Sequence, residues 1–514
     1  LRSSCAIGVS LGMLSYIITN YRSAFALFCL TPVAGAHNLY LRLRRFLLAR
    51  SFSLISEEEH SKRVEAIRRE VKEANGRVCS NRSGNDQMSL TYGDYKQKSK
   101  KVNLTHLRSV FEVNEKERYI WVEPMVDMGD LTSLLIPRGL TLPILPELDN
   151  LTVGGLLAGT GIETASHIYG LFHHIVQEIE VVLADGTVER VSRTHKPDLF
   201  QNIPWSYGTL GMITAVKIQV VPCKPYVKLN YEFIHQKSEF IAKYEKACRD
   251  QSHDFVEALA YSHDNYALMT GKMSNDVGND GAYNPIGRFY SQFFYLQVQD
   301  KMRKCNSCVE YIPLKDYYHR HTKSLFWEVS EIMPFAHTWW FRYLFGWMMP
   351  ISHSLFKATR TEELTKLYKE KHIVQDMIVP IGTLGDCLSK MNDLFRVYPL
   401  WLCPTRIFEK PSDENRGLIC GLEDEDLFID VGIYGTPAPE ILKNYDAERD
   451  CKKLEEHVRH VKGIQMLYAD CYQSRDEFRQ MFYHTEYDRL REEIPLTKER
   501  FPEIYDKVYI GNRR

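Results

Sequence analysis

The sequence has little net charge and no dense pattern of cysteines. Its 65 basic and 66 acidic residues leave a formal net charge of −1, so no overall field attracts the chain to nucleic acid. The 12 cysteines show no repeated spacing, and the single CxxC pair, Cys305 and Cys308, has no second pair nearby. These features exclude a disulfide framework and disfavour a zinc site. We therefore predict a protein without a bound metal that works in a reducing compartment.

Internal repeats and low-complexity tracts are also absent from the sequence, whose 514 residues suffice for two or three domains. The apolar stretches do not alternate as regular βαβ units do, which favours an α+β fold. We expect helices at 56–75, 128–138 and 447–460 and strands at 88–92, 109–113, 119–122, 179–183, 212–221 and 465–468. Prolines at 222 and 225 mark a domain boundary. The predicted segments are an anchor (1–50), a first domain (51–223), a second domain (224–445) and a C-terminal segment (446–514).

An uncharged run, 23–41, is close to the length of about 20 residues that a membrane-spanning helix needs. Arginines follow it within 42–50, an arrangement that favours the cytosolic side for the body of the protein. We therefore expect a single-span membrane anchor. Two alternatives remain open: 34–36 resembles a signal-peptidase site, and Pro32 and His37 suit a helix that lies in the membrane interface.

Four glycines occur within eight residues, at 154, 155, 159 and 161. Glycines at this density let backbone N–H groups converge on one anion, and a diphosphate supplies suitable acceptors. Thr152, Thr160 and Thr164 add hydroxyl donors. The dinucleotide pattern GxGxxG is incomplete, because the third glycine is missing and no βαβ unit begins here. A purely structural turn remains the alternative interpretation of the glycines taken alone.

Several short motifs surround the glycine segment in a fixed order. They are Val122-Glu-Pro124 with Gly129, His167-Ile-Tyr169-Gly170, Val181-Val-Leu-Ala-Asp185-Gly186, Asp198-Leu-Phe200 and Gly208-Thr-Leu-Gly211-Met-Ile-Thr214. The ordered set resembles the FAD-binding domain of the vanillyl-alcohol-oxidase, or p-cresol-methylhydroxylase (PCMH), superfamily across about 51–223. The resemblance implies a two-part PCMH-type FAD-binding domain followed by an α+β cap domain for the substrate.

The resemblance also implies which residues hold the cofactor. The glycine segment holds the FAD diphosphate, an earlier loop at 78–84 holds its other side, and 208–214 lies by the adenosine half. The cofactor residues so implied are Thr152, Val153, Gly154, Gly155, Leu156, Leu157, Ala158, Gly159, Thr160, Gly161, Ile162, Glu163, Thr164, Arg82, Ser83, Gly84, Tyr169, Gly208, Gly211 and Ile213. Members with covalent flavin often attach it through a histidine in the earlier loop. That loop contains no histidine, and His60 belongs to the preceding helix, so we expect non-covalent FAD.

The rest of the chain resembles a narrower family. Its motifs include Tyr311-Ile-Pro-Leu314, Tyr317-Tyr-His-Arg-His-Thr322, Tyr398-Pro-Leu-Trp401 and Gln465-Met-Leu-Tyr-Ala-Asp470-Cys-Tyr472. These resemble the delta-24-sterol reductases over nearly the whole chain. The resemblance implies an enzyme of the endoplasmic reticulum membrane, and also of the Golgi membrane, with its catalytic domain in the cytosol. It further implies that FAD and NADPH are used to saturate the side-chain double bond of a sterol.

The chemistry of an isolated double bond requires a proton donor. An alkene has no carbonyl to accept charge, so protonation of the less substituted carbon must accompany hydride transfer from flavin N5 to the tertiary carbon. The donor has to lie opposite the flavin in a pocket that excludes water. The candidate donors are Tyr468, Asp470, Tyr472, His319 and His321. Packing or surface roles for these residues remain the alternative.

Three further alternatives stay open. The aromatic run 341–349, with Trp339 and Trp340, predicts either a core helix or a second membrane contact and sterol entrance. Arg320 is a candidate partner for the 2′-phosphate of NADPH. For the whole chain, the rival hypotheses are an oxidase of a polar sugar lactone on the same fold and a flavin-fold scaffold without turnover.

Overall fold

A computed structural model of the chain describes residues 16–50, 55–86 and 93–513. The described part combines helices with two main β-sheets, which confirms the α+β prediction. One sheet belongs to the N-terminal half and the other to the region after Pro222. The strand predicted at 88–92 lies outside the described residues.

The N-terminal half is built on an antiparallel sheet. In chain order, its described strands are β1 (Val78–Ser80), β2 (Lys100–Val102), β3 (Val110–Asn114), β4 (Tyr119–Val122), β5 (Leu140–Thr141), β6 (Val176–Val182), β7 (Val188–Ser192), β8 (Met212–Gln219) and β9 (Val221–Pro222). The sheet order is β3-β4-β8-β6-β7, while β1 and β2 form a separate parallel pair. The helices are Glu57–Lys72, Met128–Leu135, Val153–Ala158, Ser166–Tyr169 and Pro197–Asn202, with 3₁₀ turns at Gly84–Asp86, Asp94–Lys96, Ile136–Arg138 and Phe172–Ile175.

Helix Glu57–Lys72 confirms the helix predicted at 56–75. The hydroxyl of Ser56 accepts a hydrogen bond from the N–H of Glu59 at 3.1 Å, and glutamates in the first turn suit the positive end of the helix dipole. The buried stripe of the helix consists of His60, Val64, Ile67 and Val71. This stripe fastens the helix to the sheet, because its apolar members share a core with Val182 and Met212.

His60 joins the same helix to the sheet through two buried contacts. Its Nδ1 lies 2.9 Å from Glu123 and its Nε2 lies 3.0 Å from Glu180. Burial opposes the charged ring, but the hydrogen bonds to the two carboxylates raise the pKa of His60 to about 9. The resulting stabilisation is fully present below the ordinary pKa of 6.5 and is lost as pH rises through about 9.

We expect His60→Phe to lower the free energy of unfolding by about 3–5 kcal/mol at neutral pH, because two buried carboxylates lose their shared partner. Urea unfolding at several pH values measures this deficit, which should shrink above pH 9. His195→Phe, at an exposed position, is the matched control and should change little. A deficit of the same size at every pH would contradict the assignment.

The region after Pro222 is built on a second, larger sheet. Its described strands are β10 (Tyr226–Ile234), β11 (Phe255–Ala260), β12 (Tyr266–Ser274), β13 (Ala282–Tyr283), β14 (Ser307–Pro313), β15 (Ile373–Pro380), β16 (Leu400–Arg406), β17 (Leu427–Gly435) and β18 (Ile464–Gln465). They pair in the order β13-β14-β10-β12-β11-β16-β17-β15-β18. The helices before the C-terminal segment are Lys237–Arg249, Phe294–Met302, Leu314–Tyr318, Glu328–Ile332, Trp339–Phe345, His353–Ala358, Glu362–Lys371, Leu384–Leu394 and Pro439–Leu442, with 3₁₀ turns at Gly346–Met348 and Ile381–Thr383.

Side chains of this sheet alternate between two faces, as the pleat of a strand requires. Helices Lys237–Arg249, Leu384–Leu394 and Ala447–His460 contribute buried residues to a core on one face, together with Met377 and Val431 of the sheet. The other face carries the even-numbered positions of β15 and β17. That face points towards the N-terminal half and forms part of the cavity described below.

The C-terminal segment returns to the N-terminal half. Its helices are Ala447–His460, Arg475–Met481, Thr485–Glu493, Thr497–Arg500 and Ile504–Val508, with a final 3₁₀ turn at Ile510–Asn512. Tyr487 Oη lies 2.7 Å from Thr209 Oγ1 across the two regions. Strand β18 is shorter than the predicted 465–468, because its pairing with β15 ends and the chain turns at 467–469. Tyr468 therefore lies in a turn and not on a strand.

The N-terminal helix consists of Arg22–Phe25, a π-helical turn at Ala26–Leu30 and the stretch Thr31–Arg50. Over Arg22–Leu47 it is long and apolar enough to cross a membrane, judged by length and composition. It also packs lengthwise on the body of the protein, where Ala26, Leu30 and Ala34 are buried.

Candidate active site

A cavity of about 380 Å³ lies between the N-terminal half and the second sheet. This volume is within the range of about 300–1,000 Å³ found for small-molecule sites. Its walls include the glycine segment with neighbouring loops, one face of β15, β16 and β17, residues of the region 325–368, and the C-terminal segment. The fold thus brings the predicted cofactor segment and the predicted substrate domain to one site.

The glycine segment forms one wall as a short helix followed by a turn. Residues Val153–Ala158 are helical, so the irregular part of the predicted loop begins only at Gly159. The segment residues that line the cavity are Thr152, Gly154, Gly155, Leu156, Ala158, Gly159, Thr160, Gly161 and Ile162. A Cβ at Gly154 would lie 2.6 Å from Cβ of Pro124, and one at Gly155 would lie 2.9 Å from Nη1 of Arg82. Glycine at 154 is therefore needed for packing against Pro124, whereas a side chain at 155 would have to displace the end of Arg82.

The other predicted cofactor residues fall into two groups. Arg82, Gly208, Gly211 and Ile213 line the cavity. Those that do not line it are Val153, Leu157, Glu163, Thr164, Tyr169, Ser83 and Gly84. Glu163 instead accepts a hydrogen bond from Arg320 at 2.9 Å, and Arg320 also binds Glu257 at 2.8 Å. The hypothesis that Arg320 binds the 2′-phosphate of NADPH is wrong, because its guanidinium is fully buried between two carboxylates.

Buried cations collect at the end of the cavity near the glycine segment. The lining cations at this end include Arg82, Lys96, Lys357 and Lys507. Burial and neighbouring positive charge lower the pKa of Lys96 to about 8 and the pKa of Lys507 to about 7. Burial and the charge of Arg360 lower the pKa of Lys357 to about 7. A bound anion would restore the favoured charged state of these lysines, so this end fits a diphosphate.

Two hydroxyl groups in the same wall support this fit. Thr160 Oγ1 and Tyr207 Oη are buried and have no hydrogen-bond partner among the described residues. Tyr207 also has a positive φ of 54°, a backbone conformation that costs free energy for a bulky side chain. Unpaired buried hydroxyls are rare in folded proteins. The residues present therefore fit the oxygen-rich diphosphate of FAD.

Three buried carboxyl groups line the cavity beside the second sheet: Glu147, Asp376 and Asp430. Burial raises the pKa of Asp376 to about 7, although a hydrogen bond from Tyr434 acts to lower it. Burial and the charge of Glu163 raise the pKa of Glu147 to about 8. Burial and the charges of its two neighbours raise the pKa of Asp430 well above its usual range. This group therefore holds exchangeable protons at neutral pH.

Two tyrosines bind the Asp376 carboxyl. Tyr434 donates to its Oδ1 at 2.5 Å, and Tyr468 donates to its Oδ2. Gly432 lies opposite Asp376 across β15 and β17. A Cβ at Gly432 would lie 2.5 Å from Tyr434 Oη and 2.6 Å from Asp376 Oδ1. Glycine at this position therefore leaves room for the hydrogen bond.

Of the predicted proton donors, only Tyr468 lines the cavity. Asp470 does not line the cavity, and its Oδ1 lies 2.9 Å from Nη1 of Arg513 in an ion pair. Tyr472 packs against the core behind the sheet, where burial raises its pKa further above the usual range. The chain turns sharply after Met466, so neighbours in sequence point into different surroundings.

The two predicted histidines also lie outside the cavity. His319 Nε2 is 2.9 Å from Thr132 Oγ1, and the ring of His321 stacks on Phe326 with centroids 4.5 Å apart. Burial lowers the pKa of each histidine to about 4. Both rings are therefore uncharged at neutral pH, and the structure does not bring them to the reacting site.

The sequence-based prediction missed the buried carboxyl groups and most of the cations. Asp376 and Asp430 each interrupt an apolar strand, and an acidic residue inside such a run was a usable signal. Lys357 and Lys507 gave no comparable signal, because they belong to short helices of ordinary composition. Only the packing of those helices against the cavity identifies them.

Among the described residues, one group of side chains lies close enough together to be considered as a metal site: His173, His174 and Glu409. His174 Nδ1 accepts the N–H of Leu171 at 2.8 Å, so its Nε2 carries the proton and donates it to Glu409 at 2.8 Å. A protonated ring nitrogen has no lone pair for a metal. The geometry therefore supports a hydrogen-bonded cluster and not a metal site.

Comparison with known proteins identifies the family of this chain. A family model described as an FAD binding domain matches residues 59–192, which include the glycine segment. A Homo sapiens protein named Delta(24)-sterol reductase is 42% identical over 506 residues, 97% of this chain and 96% of that protein. An Arabidopsis thaliana protein of the same name is 34% identical over 465 residues, 85% of this chain and 82% of that protein. This chain belongs to the Delta(24)-sterol reductase family.

Membership of the Delta(24)-sterol reductase family confirms the resemblance found in the sequence. The FAD binding domain match lies inside the predicted 51–223 and supports FAD as cofactor. The similarity to the Delta(24)-sterol reductases continues through nearly the whole chain. Asp376 and Asp430 therefore lie outside the FAD binding domain match, in a part of the chain that the similarity to the Delta(24)-sterol reductases also covers.

Proposed function

We propose that this protein reduces the C24–C25 double bond of a sterol side chain, using bound FAD that NADPH reduces. The main support for this proposal is the near full-length similarity to Delta(24)-sterol reductases. It covers both the glycine segment and the carboxyl groups that line the cavity. When bound, FAD supplies the hydride. The residues of the chain bind and orient the two ligands, exclude water and hold the proton.

The cation end of the cavity would hold the diphosphate. Arg82, Lys96 and Lys507 supply positive charge there, and Thr160 and Tyr207 supply unpaired hydroxyl groups. His60 is the histidine nearest in sequence to the loop 78–84. Its ring is hydrogen-bonded to two carboxylates, and it does not line the cavity. This arrangement supports the proposal that FAD is held without a covalent bond.

We assign the role of proton donor to Tyr468 together with Asp376. Both residues line the cavity, and a hydrogen bond joins the phenol to Asp376 Oδ2. When Asp376 is protonated, this hydrogen bond runs from the carboxyl to the phenol, so the phenol can give its own proton to the alkene and regain one. Asp430, whose carboxyl oxygens have no partner among the described residues, adds a second protonated acid nearby.

Apolar side chains also line the cavity. They include Ile332, Phe356, Val374 and Trp401. Such walls suit a sterol side chain and exclude water, which would otherwise capture the positive charge that develops on the tertiary carbon. These apolar side chains offer a sugar lactone no hydrogen bonds, so this part of the wall favours the reductase over an oxidase of a polar substrate.

The decisive assay combines the purified full chain with FAD, NADPH and a Δ24-sterol and follows the sterol by mass spectrometry. A gain of two hydrogen atoms supports the proposal. Peroxide production from a sugar lactone without any change in sterol mass would overturn it. Folded protein that binds no flavin would leave only the scaffold hypothesis.

We expect the rate of sterol reduction to fall as pH rises through about 7, because the reaction needs Asp376 in its protonated form. The acid is fully protonated below that pH and loses its proton above it. Stopped-flow reoxidation of the reduced enzyme by sterol measures this dependence, with flavin content checked at each pH. A rate that stays constant across pH 7 would remove Asp376 from this role.

We further propose that the body of the protein faces the cytosol at the endoplasmic reticulum membrane. Every cysteine that the structure describes is a free thiol, as a reducing compartment favours. Asn150-Leu151-Thr152 has the sequence of an N-glycosylation site. Asn150 is half-buried, with its Nδ2 3.2 Å from Nδ1 of His353 in the cavity wall. A glycan on Asn150 would obstruct the site, which argues against a lumenal catalytic body.

A further inference from the structure

We propose that the N-terminal helix and the segment 339–348 form one membrane-binding face that rests in a single lipid leaflet, beside the mouth of the cavity. We call this surface the lipid face and define it by the exposed side chains of Phe28, Leu39, Leu43, Trp339, Leu344 and Trp347. Only the statement about sterol entry rests on the proposed function. The lipid face itself rests on packing, exposure and charge.

The N-terminal helix carries apolar side chains on opposite sides. One stripe, with Ala26, Leu30 and Ala34, is buried against the body. The opposite stripe is exposed, and Phe28 and Leu39 keep 73% and 66% of their surface accessible. A helix that is apolar all round is normally covered all round. The body covers one side of this helix, so the other side requires a separate apolar environment.

Segment 339–348 extends the exposed stripe. A Cβ at Gly35 would lie 2.6 Å from Cγ of Met348, so the two elements touch closely. Asn38 Nδ2 donates to the carbonyl oxygens of Met348 and Pro350 at 2.8 Å each. Trp339 is 71% exposed and Leu344 is 62% exposed. The two elements together present the kind of continuous apolar surface that marks a membrane or protein contact.

The residue composition of the lipid face indicates that lipid covers this surface. Neither 16–47 nor 333–350 contains an acidic residue, whereas the first contains four arginines and the second contains Arg342. A surface of this charge is attracted to the anionic lipids of a cytoplasmic leaflet. Trp339, Tyr343 and Trp347 add the aromatic type that concentrates at the boundary between membrane and water. A bilayer surface matches the apolar, aromatic and cationic character of the lipid face together.

The contacts of the N-terminal helix place it along the membrane plane. Ser23 donates to the carbonyl of Ile332 at 2.8 Å, and Arg45 pairs with Asp149 at 2.6 Å. These two contacts are separated by about 33 Å of helix at about 1.5 Å per residue. That length is close to the thickness of the hydrocarbon core of a bilayer, which is about 30 Å. A helix crossing the bilayer would therefore draw the polar body into hydrocarbon, so a helix lying in one leaflet is favoured.

The first turn of the same helix forms part of the cavity wall. Arg22 of this turn lines the cavity together with Ile332 and Tyr368. Arg22 also donates to the phenol of Tyr368, which ties the helix to the rim. A sterol that leaves the leaflet at this point reaches the apolar walls without crossing bulk water.

The test uses the full chain with FAD and phosphatidylcholine–phosphatidylserine vesicles that contain no sterol. We expect the double variant Leu344→Glu with Trp347→Glu to weaken vesicle binding about 100-fold, measured by flotation, because two apolar side chains leave the leaflet. Phe408→Glu is the matched control, since Phe408 is 45% exposed but packs on His174. In reduction assays, the double variant should turn over cyclodextrin-bound sterol normally and vesicle-bound sterol slowly.

Three outcomes would overturn the lipid face. Unchanged binding of the double variant would mean that an N-terminal span alone holds the protein. Brominated lipids should quench tryptophan fluorescence, and quenching that survives Trp339→Phe with Trp347→Phe would place these side chains outside the leaflet. Loss of a dimer in the double variant, with vesicle binding unchanged, would show that a second copy covers the surface. Vesicle binding without any sterol reduction would refute the proposed function alone.

Discussion

Replacing Asp376 with asparagine is expected to lower the rate of sterol reduction by about 10²–10⁴-fold, the usual contribution of a general acid. Asparagine has almost the same shape and its carbonyl still accepts one tyrosine hydrogen bond, but its amide holds no transferable proton. The carboxyl is well suited to the task because burial raises the pKa of Asp376 to about 7. Tyr468→Phe should lower the same rate, since it removes the phenol that is bonded to Asp376 and gives its proton to the alkene.

Stopped-flow kinetics separate this role from a structural one. NADPH should reduce the flavin of Asp376→Asn at the wild-type rate, whereas reoxidation by sterol should be slow. His319→Gln is the control, because His319 is half-buried and does not line the cavity. An equal loss in both half-reactions would make Asp376 a structural residue, and an unchanged sterol half-reaction would assign the proton to another group.

Gly155→Trp is expected to abolish FAD binding and to yield colourless protein. Gly155 faces the cavity, and a Cβ there would already lie 2.9 Å from Arg82 Nη1 and 3.0 Å from Thr152 Oγ1. The indole ring would therefore fill the space between the glycine wall and the cation end. Flavin absorbance after gel filtration measures the loss, and far-ultraviolet circular dichroism checks the fold.

Gly382→Trp provides the same substitution at an exposed glycine whose Cβ would meet no atom within 4 Å. This variant should keep its flavin and its yellow colour. Flavin retained by folded Gly155→Trp at the wild-type level would show that the glycine segment is only a structural turn. The sterol assignment would then need another cofactor site.

Local features of the chain were predictable because they depend on neighbours in sequence. The cap at Ser56 and the stripe of Val64 and Ile67 set helix Glu57–Lys72 within a few residues. The glycine cluster and its ordered flanks predicted an FAD binding domain, and motifs in the rest of the chain predicted the Delta(24)-sterol reductase family. The matched FAD binding domain and the relatives confirm both predictions. The acid–phenol pair was only half predicted, since Tyr468 was named and Asp376 was not.

Sequence by itself thus determined the family, the α+β class and the glycine wall, because glycine geometry, caps and apolar periodicity act over a few residues. Tertiary structure alone decided which titratable groups meet. Asp376 on β15 and Asp430 on β17 converge through sheet pairing, while the turn after β18 sends Tyr468 into the cavity and leaves Asp470 bound to Arg513. It also decided how the N-terminal helix is covered, since hydropathy counts apolar residues but only packing shows which side of a helix the protein buries.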